Sequence, residues 1–180
     1  MIRKLIFLAF LLACLAGFSQ KFKSQTSHVR FFSDAPMEDI EAINEAASSI
    51  IDLESNAIVI VIPIKSFDFK KKLMQEHFNE NYLESDKYPR ATFKGKLRDW
   101  DQGKGTNSAR AVGLLEIHGV ANEVSISGEI TFDGDSITIE TIFPILLEDY
   151  KVKIPKAVFY NIAEEVEVTA KFVYTPYEKN

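Results

Sequence analysis

KLMQEHFNENYLESDKYPRATFKGKL, residues 72–97, combines a helical pattern with a strand pattern. Its first half has apolar or weakly polar residues at helical spacing, namely Leu73, Met74, His77 and Phe78. Pro89 disfavours the α region for the residue before it, and apolar and polar residues alternate after it as in a half-buried strand. The stretch therefore predicts a short helix and a strand that together cap one end of a structure built from strands.

Strand patterns also precede and follow this stretch. They occupy residues 27–32, 57–64, 109–117, 124–132, 136–145 and 166–174. The segment 57–64 is apolar on both faces, which predicts a strand covered on both sides. Asp133-Gly134-Asp135 is a strong hairpin signal. Residues 34–55 fit either a helix with Asp34 as its N-cap or two short strands separated by a turn.

The strands have one apolar face and one polar face, which predicts a closed antiparallel barrel or a sandwich. We expect the apolar face to contain Ala91, Phe93, Gly95, Leu97, Ala111, Gly113, Leu115, Ile117, Val124, Ile126, Gly128, Ile130, Ile137, Ile139, Thr141, Phe143, Val166, Val168, Ala170, Phe172 and Tyr174. Small residues on that face either let the sheet bend or leave a lumen for an apolar guest. Bending alone explains any single glycine equally well, but five small positions on one face favour a lumen: Gly95, Ala111, Gly113, Gly128 and Ala170.

The length and composition fit one domain, the net charge disfavours a nucleic-acid partner, and the N-terminal segment indicates export. The chain has 180 residues, 46% of them hydrophobic, and a net charge of −5 without a basic stripe. Residues 1–19 form a signal-peptide pattern, with Arg3-Lys4 before a short apolar run, so the expected mature domain is 20–180 and is periplasmic or secreted. A partial lipobox ending at Cys14 gives the alternative of an outer-envelope lipoprotein, but a cysteine inside the removed apolar region is favoured.

Motifs for catalysis, metal binding or nucleotide binding are absent from the sequence. His28, His77 and His118 do not have metal-ligand spacing, and no serine lies in a GxSxG elbow. Carboxylate pairs such as Asp133 and Asp135 fall in polar turns. We therefore predict a container rather than an enzyme, with no catalytic residues, no metal and no cofactor.

Several segments resemble the YceI-like family across the expected mature chain. They are Phe67-Asp68-Phe69, Met74-Gln75-Glu76-His77-Phe78, Tyr82-Leu83-Glu84-Ser85, Lys87-Tyr88-Pro89-Arg90-Ala91-Thr92-Phe93-Lys94-Gly95, Leu115-Glu116-Ile117-His118-Gly119-Val120 and Asp149-Tyr150-Lys151-Val152-Lys153-Ile154-Pro155. The resemblance implies a mainly β, lipocalin-like antiparallel barrel with one short helix capping or flanking an end. It also implies an exported protein whose cavity holds a polyisoprenoid or isoprenoid quinone.

The combined patterns give a specific expectation for the site. The cavity lining is expected to be Phe93, Gly95, Gly113, Leu115, Ile117, Ile126, Gly128, Ile139, Phe143 and Phe172, and the cavity mouth Met74, His77, Phe78 and Tyr82. The expected partner is an apolar lipid, exchanged at a membrane surface by a monomer or homodimer. One alternative is a structural or interaction barrel filled by its own side chains. Another is an enzyme that uses His77 or His118 on a buried apolar substrate.

Overall fold

The computed structural model describes residues 21–34, 39–102, 105–153 and 163–177. The expected signal peptide and Cys14 lie outside these residues. The described strands are β1 (Lys21–Ser33), β2 (Ile40–Asn44), β3 (Ser48–Asp52), β4 (Ala57–Pro63), β5 (Asp68–Phe69), β6 (Arg90–Arg98), β7 (Gly105–Ile117), β8 (Val120–Asp133), β9 (Ser136–Leu146) and β10 (Glu165–Pro176). The predicted helix is present as α1 (Lys72–His77), which continues into a π-helical turn over Phe78–Tyr82.

Eight antiparallel strands close into a barrel. Their order around the ring is β1, β3, β4, β6, β7, β8, β9 and β10, and β10 pairs back onto β1 from Phe22↔Pro176 to Phe32↔Glu167. β2 pairs with the second half of β1, and β5 pairs with β2, so these two strands extend the sheet beside the ring. The predicted antiparallel barrel with one short helix is confirmed.

The ambiguous segment 34–55 forms two strands, so the helical interpretation is wrong for its described part; residues 35–38 lie outside the described residues. Both strands pair with β1, β2 with its second half and β3 with its first few residues. Asn44 makes the break between them, because its buried amide donates to the Pro63 carbonyl at 2.7 Å and accepts from the Ala46 N–H at 2.9 Å. Tertiary pairing therefore overrides the local helical propensity.

The predicted alternation is present on the inner face, where Ile58, Phe93, Leu115, Ile130 and Phe172 are buried. The outer face is less polar than expected. Exposed apolar side chains there include Ile50, Val59, Val112, Leu114 and Ile142. Since Val59 is 40% exposed, the expectation that segment 57–64 is covered on both faces is wrong.

Two paired glycines bring the backbones of β6 and β7 close together. Gly95 pairs directly with Gly113. A Cβ on Gly95 would lie 2.7 Å from the Phe93 ring and 2.5 Å from the Val112 carbonyl oxygen, and a Cβ on Gly113 would meet the Lys94 backbone and Gly95 Cα. The space beside this pair is filled, so these two glycines do not form part of the lumen that the sequence favoured.

Candidate functional site

A cavity of about 430 Å³ occupies the end of the barrel that α1 covers. Its walls come from the inner faces of β1, β4, β6, β7, β9 and β10, and its cover comes from α1 and the turn after it. The residues that line it are Val29, Phe31, Ser33, Ile40, Ile62, Ile64, Phe67, Phe69, Met74, His77, Phe78, Tyr82, Leu83, Ala91, Leu115, Ile117, Phe143, Ile145, Leu147, Tyr150, Val152, Val166 and Val168. The volume is within the range of small-molecule sites, and the wall is mostly apolar.

A smaller cavity of about 90 Å³ lies next to it inside the barrel. The two cavities have five lining residues in common, which we call the shared ring: Val29, Ile62, Leu115, Phe143 and Val168. The shared ring separates a wide chamber near the cap from a narrow chamber within the ring of strands. Larger side chains, including Phe93 and Phe172, reduce the volume of the narrow chamber.

The structure places the sequence-predicted site residues in three groups. All four expected mouth residues, Met74, His77, Phe78 and Tyr82, line the wide chamber, together with Leu115, Ile117 and Phe143. The narrow chamber is lined by Phe93, Ile126, Gly128, Ile139 and Phe172, and again by Leu115 and Phe143. Gly95 and Gly113 line neither chamber, because the Phe93 ring covers Gly95 and the two glycines pack against each other.

An aromatic cluster attaches the cap to the barrel end. Phe78, in the turn after α1, contacts Phe31, Phe67 and Phe69, with ring centroids 5.4, 5.6 and 5.0 Å apart. Such pairs add attraction beyond the burial of their area. Phe31, Phe67 and Phe69 were not predicted as site residues, although the alternation in Phe67-Asp68-Phe69 was visible in the sequence.

His118 connects three segments at the cavity end. It lies in the β7–β8 turn, where its Nε2 is 2.7 Å from a carboxylate oxygen of Glu84 and its Nδ1 is 3.2 Å from the Tyr150 carbonyl oxygen. Tyr88 packs edge-on against its ring at 4.6 Å. Because a carbonyl and a carboxylate both accept, the ring donates to both only as an imidazolium. The hydrogen bond from His118 lowers the pKa of Glu84.

Polar side chains are few in the wide chamber. The Ser33 hydroxyl accepts from the Ala163 N–H at 3.0 Å, and a hydrogen bond links Tyr150 to Asn122. Burial raises the pKa of Tyr82 and of Tyr150, so both phenols stay neutral and able to donate. His77 lines the chamber and is also exposed, which marks the opening beside α1. A ligand with a polar end therefore has Tyr82 and His77 to contact near the opening.

The part of the chain that the structure describes contains neither a metal-ligand cluster nor a membrane-spanning helix. Histidine, cysteine and carboxylate side chains do not come together there in groups of three or more that could hold a metal ion. No helix among the same residues has the length and apolar character needed to cross a membrane.

The antiparallel barrel fold is shared with known proteins. The family model for the YceI-like domain matches residues 19–174. The chain belongs to the YceI-like family. No curated protein matches the chain.

Several solved structures have the same fold at low sequence identity. A polyisoprenoid binding domain from Saccharophagus degradans, described as implicated in plant cell wall breakdown, aligns with a TM-score of 0.75 at 16% identity, covering 87% of this chain and 98% of its own. BcnA from Burkholderia cenocepacia aligns with a TM-score of 0.70 at 21% identity, covering 82% and 95%. A Campylobacter jejuni YceI protein aligns with a TM-score of 0.62 at 15% identity, covering 81% and 90%.

Proposed function

We propose that this YceI-like chain is an exported carrier that holds a polyisoprenoid or an isoprenoid quinone in its barrel. The observation that carries the proposal is the apolar chamber of about 430 Å³ that adjoins a second chamber across the shared ring. An elongated hydrocarbon chain suits two chambers in line, because burying it removes apolar surface from water without unpaired polar groups. The polyisoprenoid binding domain from Saccharophagus degradans, which has the same fold, supports this ligand class.

The ligand's polar end would lie at the opening, and its chain would point into the barrel. His77 and Tyr82 can hydrogen-bond a hydroxyl, carbonyl or phosphate there, and Met74 and Phe78 contact the chain below them. We propose that loading and release occur at a membrane surface, since a free isoprenoid has little solubility in water. Residues 1–19 would direct export to the periplasm or the medium, with lipid attachment at Cys14 as the alternative route to the envelope.

The competing proposal is a structural barrel without a ligand. The bulky residues Phe93 and Phe172 do reduce the narrow chamber, as that proposal requires. The wide chamber, however, contains more space than a filled barrel would leave, since protein interiors have few voids larger than a water molecule. The wide chamber therefore favours the carrier.

Recovery of bound lipid from protein made in its own host tests the carrier directly. The full chain would be purified without detergent, analysed by native mass spectrometry, and then stripped and titrated with a fluorescent polyprenol. We expect a co-purifying apolar ligand and saturable binding after its removal. Absence of both would overturn the proposal.

Replacing either of two alanines by phenylalanine tests where the ligand binds. Ala91 is buried and lines the wide chamber, whereas Ala121 is exposed on β8. We expect Ala91→Phe to weaken polyprenol binding at least tenfold, because the new ring occupies ligand space, and Ala121→Phe to leave it unchanged. Circular dichroism would verify that both variants are folded. Equal binding by the two folded variants would place the ligand outside the chamber.

A further inference from the structure

The outer wall of the barrel has a basic side and an acidic side. Exposed cations on the outward faces of β1, β6 and β7 are Lys23, Arg90, Lys94, Lys96, Arg98 and Arg110; Arg110 pairs with Asp99, and the exposed carboxylate Glu116 also lies on β7. Exposed carboxylates on β8, β9 and β10 include Glu123, which faces Leu114 of β7, and Glu129, Glu140, Glu165 and Glu167, of which Glu140 pairs with Lys171 and Glu167 with Arg30. The whole chain is acidic, with a net charge of −5, so the charge of the basic side is opposite in sign to the net charge of the chain. Opposite signs on two sides orient the protein toward a charged surface.

Apolar side chains are concentrated within the basic side. Ile50 pairs with Val59 across β3 and β4, and these side chains are 44% and 40% exposed. Lys94 pairs with Val59 on one side and with Leu114 on the other, and Leu114 is 49% exposed. Val112, which pairs with Lys96, is 41% exposed. We call the four apolar residues with Lys94 and Lys96 the outer patch.

We propose that the outer patch is the surface by which the protein docks on an anionic lipid membrane. The biological purpose of this docking rests on the proposed carrier function. Lysines beside exposed aliphatic side chains suit a membrane interface, where the stems lie along apolar surface and the ammonium groups reach lipid phosphates. The strands of the outer patch also form the chamber walls on their inner side, through Ile60, Ile62 and Leu115. Docking there keeps the barrel at the lipid surface with the chamber behind one layer of strands, while the opening beside α1 lies at the barrel end.

A different protein or a second copy of this chain fits the outer patch less well than a membrane does. Protein interfaces are enriched in aromatic residues and depleted of lysine, whereas the outer patch has no aromatic residue and has Lys94 between Val59 and Leu114. A second copy docked through the same patch in a two-fold dimer would bring Lys94 and Lys96 of both copies into one interface, which gathers four like charges there. A head-to-tail contact with the acidic side would not be self-limiting, because it leaves a free patch at each end.

Sedimentation with lipid vesicles tests the docking separately from the carrier function. The vesicles would be phosphatidylcholine alone or phosphatidylcholine with phosphatidylglycerol, both without isoprenoid lipid, so that docking is measured when the chamber ligand is absent. We expect binding to the anionic vesicles that weakens with added salt, and little binding to the neutral ones. Polyprenol binding in solution, measured in parallel, reports the carrier function whatever the vesicle result.

Two pairs of matched variants test whether the outer patch is the docking surface. The first pair is Lys94→Glu in the outer patch and its control Lys72→Glu, which makes the same charge change on α1, away from the outer patch. The second pair is Leu114→Gln and its control Ile142→Gln, which remove an exposed apolar side chain from the basic side and from the acidic side, respectively. We expect Lys94→Glu to weaken vesicle binding about tenfold and Leu114→Gln several-fold, with polyprenol binding retained and the two controls close to wild type. Equal losses for patch and control variants, or equal binding to neutral and anionic vesicles, would overturn the proposal.

Discussion

Leu115→Ala tests whether the two chambers act as one binding site. Leu115 is 6% exposed and belongs to the shared ring, so its truncation opens the wall between the chambers. Truncating a buried leucine typically costs about 2–5 kcal/mol of unfolding free energy. We expect about 2–3 kcal/mol here, because empty space on both sides of Leu115 means that it makes fewer contacts than a leucine packed all round.

Leu97→Ala is the matched control. Leu97 is 4% exposed and lines the narrow chamber alone, so its truncation enlarges that chamber without opening the shared ring. Its cost should be about 3–4 kcal/mol, since Leu97 has a cavity on one side only.

Urea unfolding would measure both costs, and titration with polyprenols of increasing length would measure ligand preference. We expect Leu115→Ala to shift the preference toward longer chains and Leu97→Ala to leave the optimum length unchanged. If the optimum does not move in Leu115→Ala although the stability loss is present, the chambers do not form one tunnel. A stability loss below about 1 kcal/mol would refute the packing argument itself.

Three further outcomes follow from contacts at the barrel ends and wall. The hydrogen bond from His118 lowers the pKa of Glu84, so this contact contributes its full stability above the unfolded pKa of the carboxyl and loses it as the pH falls through the lower folded pKa. In urea unfolding, the deficit of Glu84→Gln relative to wild type should therefore shrink as the pH falls below the unfolded value of about 4.3 and disappear below the folded pKa. Gly113→Ala should lower the melting temperature by several degrees, because its methyl group would collide with backbone that cannot move aside. Tyr174→Phe should lower the unfolding free energy measured in urea by about 1 kcal/mol, because it removes the buried 2.8 Å hydrogen bond to Ser49. The Ser49 hydroxyl still donates to a backbone carbonyl, so a loss above about 3 kcal/mol would contradict this prediction.

Much of the barrel could be predicted from period-two alternation, because a one-residue slip would move a whole strand's apolar set to the wrong face. The segment 34–55 could not, since its helical and strand patterns are equally good locally and the pairing with β1 decides between them. Helical spacing likewise suggested that Leu73 belongs to the apolar face of α1, yet it is 61% exposed while Met74 and Phe78 pack inward. A helix of six residues has too few turns to define its buried face from sequence alone.

The site shows the same division between local and long-range information. The four residues predicted for the mouth lie within one stretch of sequence, and they were predicted together because helical spacing brings them to one side. The contacts of His118 with Glu84 and Tyr150 span more than thirty residues in each direction, and no local pattern encodes them. The outer patch was not predicted from the sequence for another reason. Val112 and Leu114 interrupt the polar face of β7, and an analysis of alternation alone regards them as exceptions to the pattern.

The pairing of β1 with β10 has a consequence for how the chain folds. This contact joins Phe22 to Pro176, almost the full length of the domain, and the barrel does not close until both strands have formed. Contacts so distant in sequence slow folding, because the entropy of a long loop must be lost before they contribute. Both ends of the barrel sequence must therefore be available before the chamber exists, so an apolar guest can be enclosed only by the finished barrel.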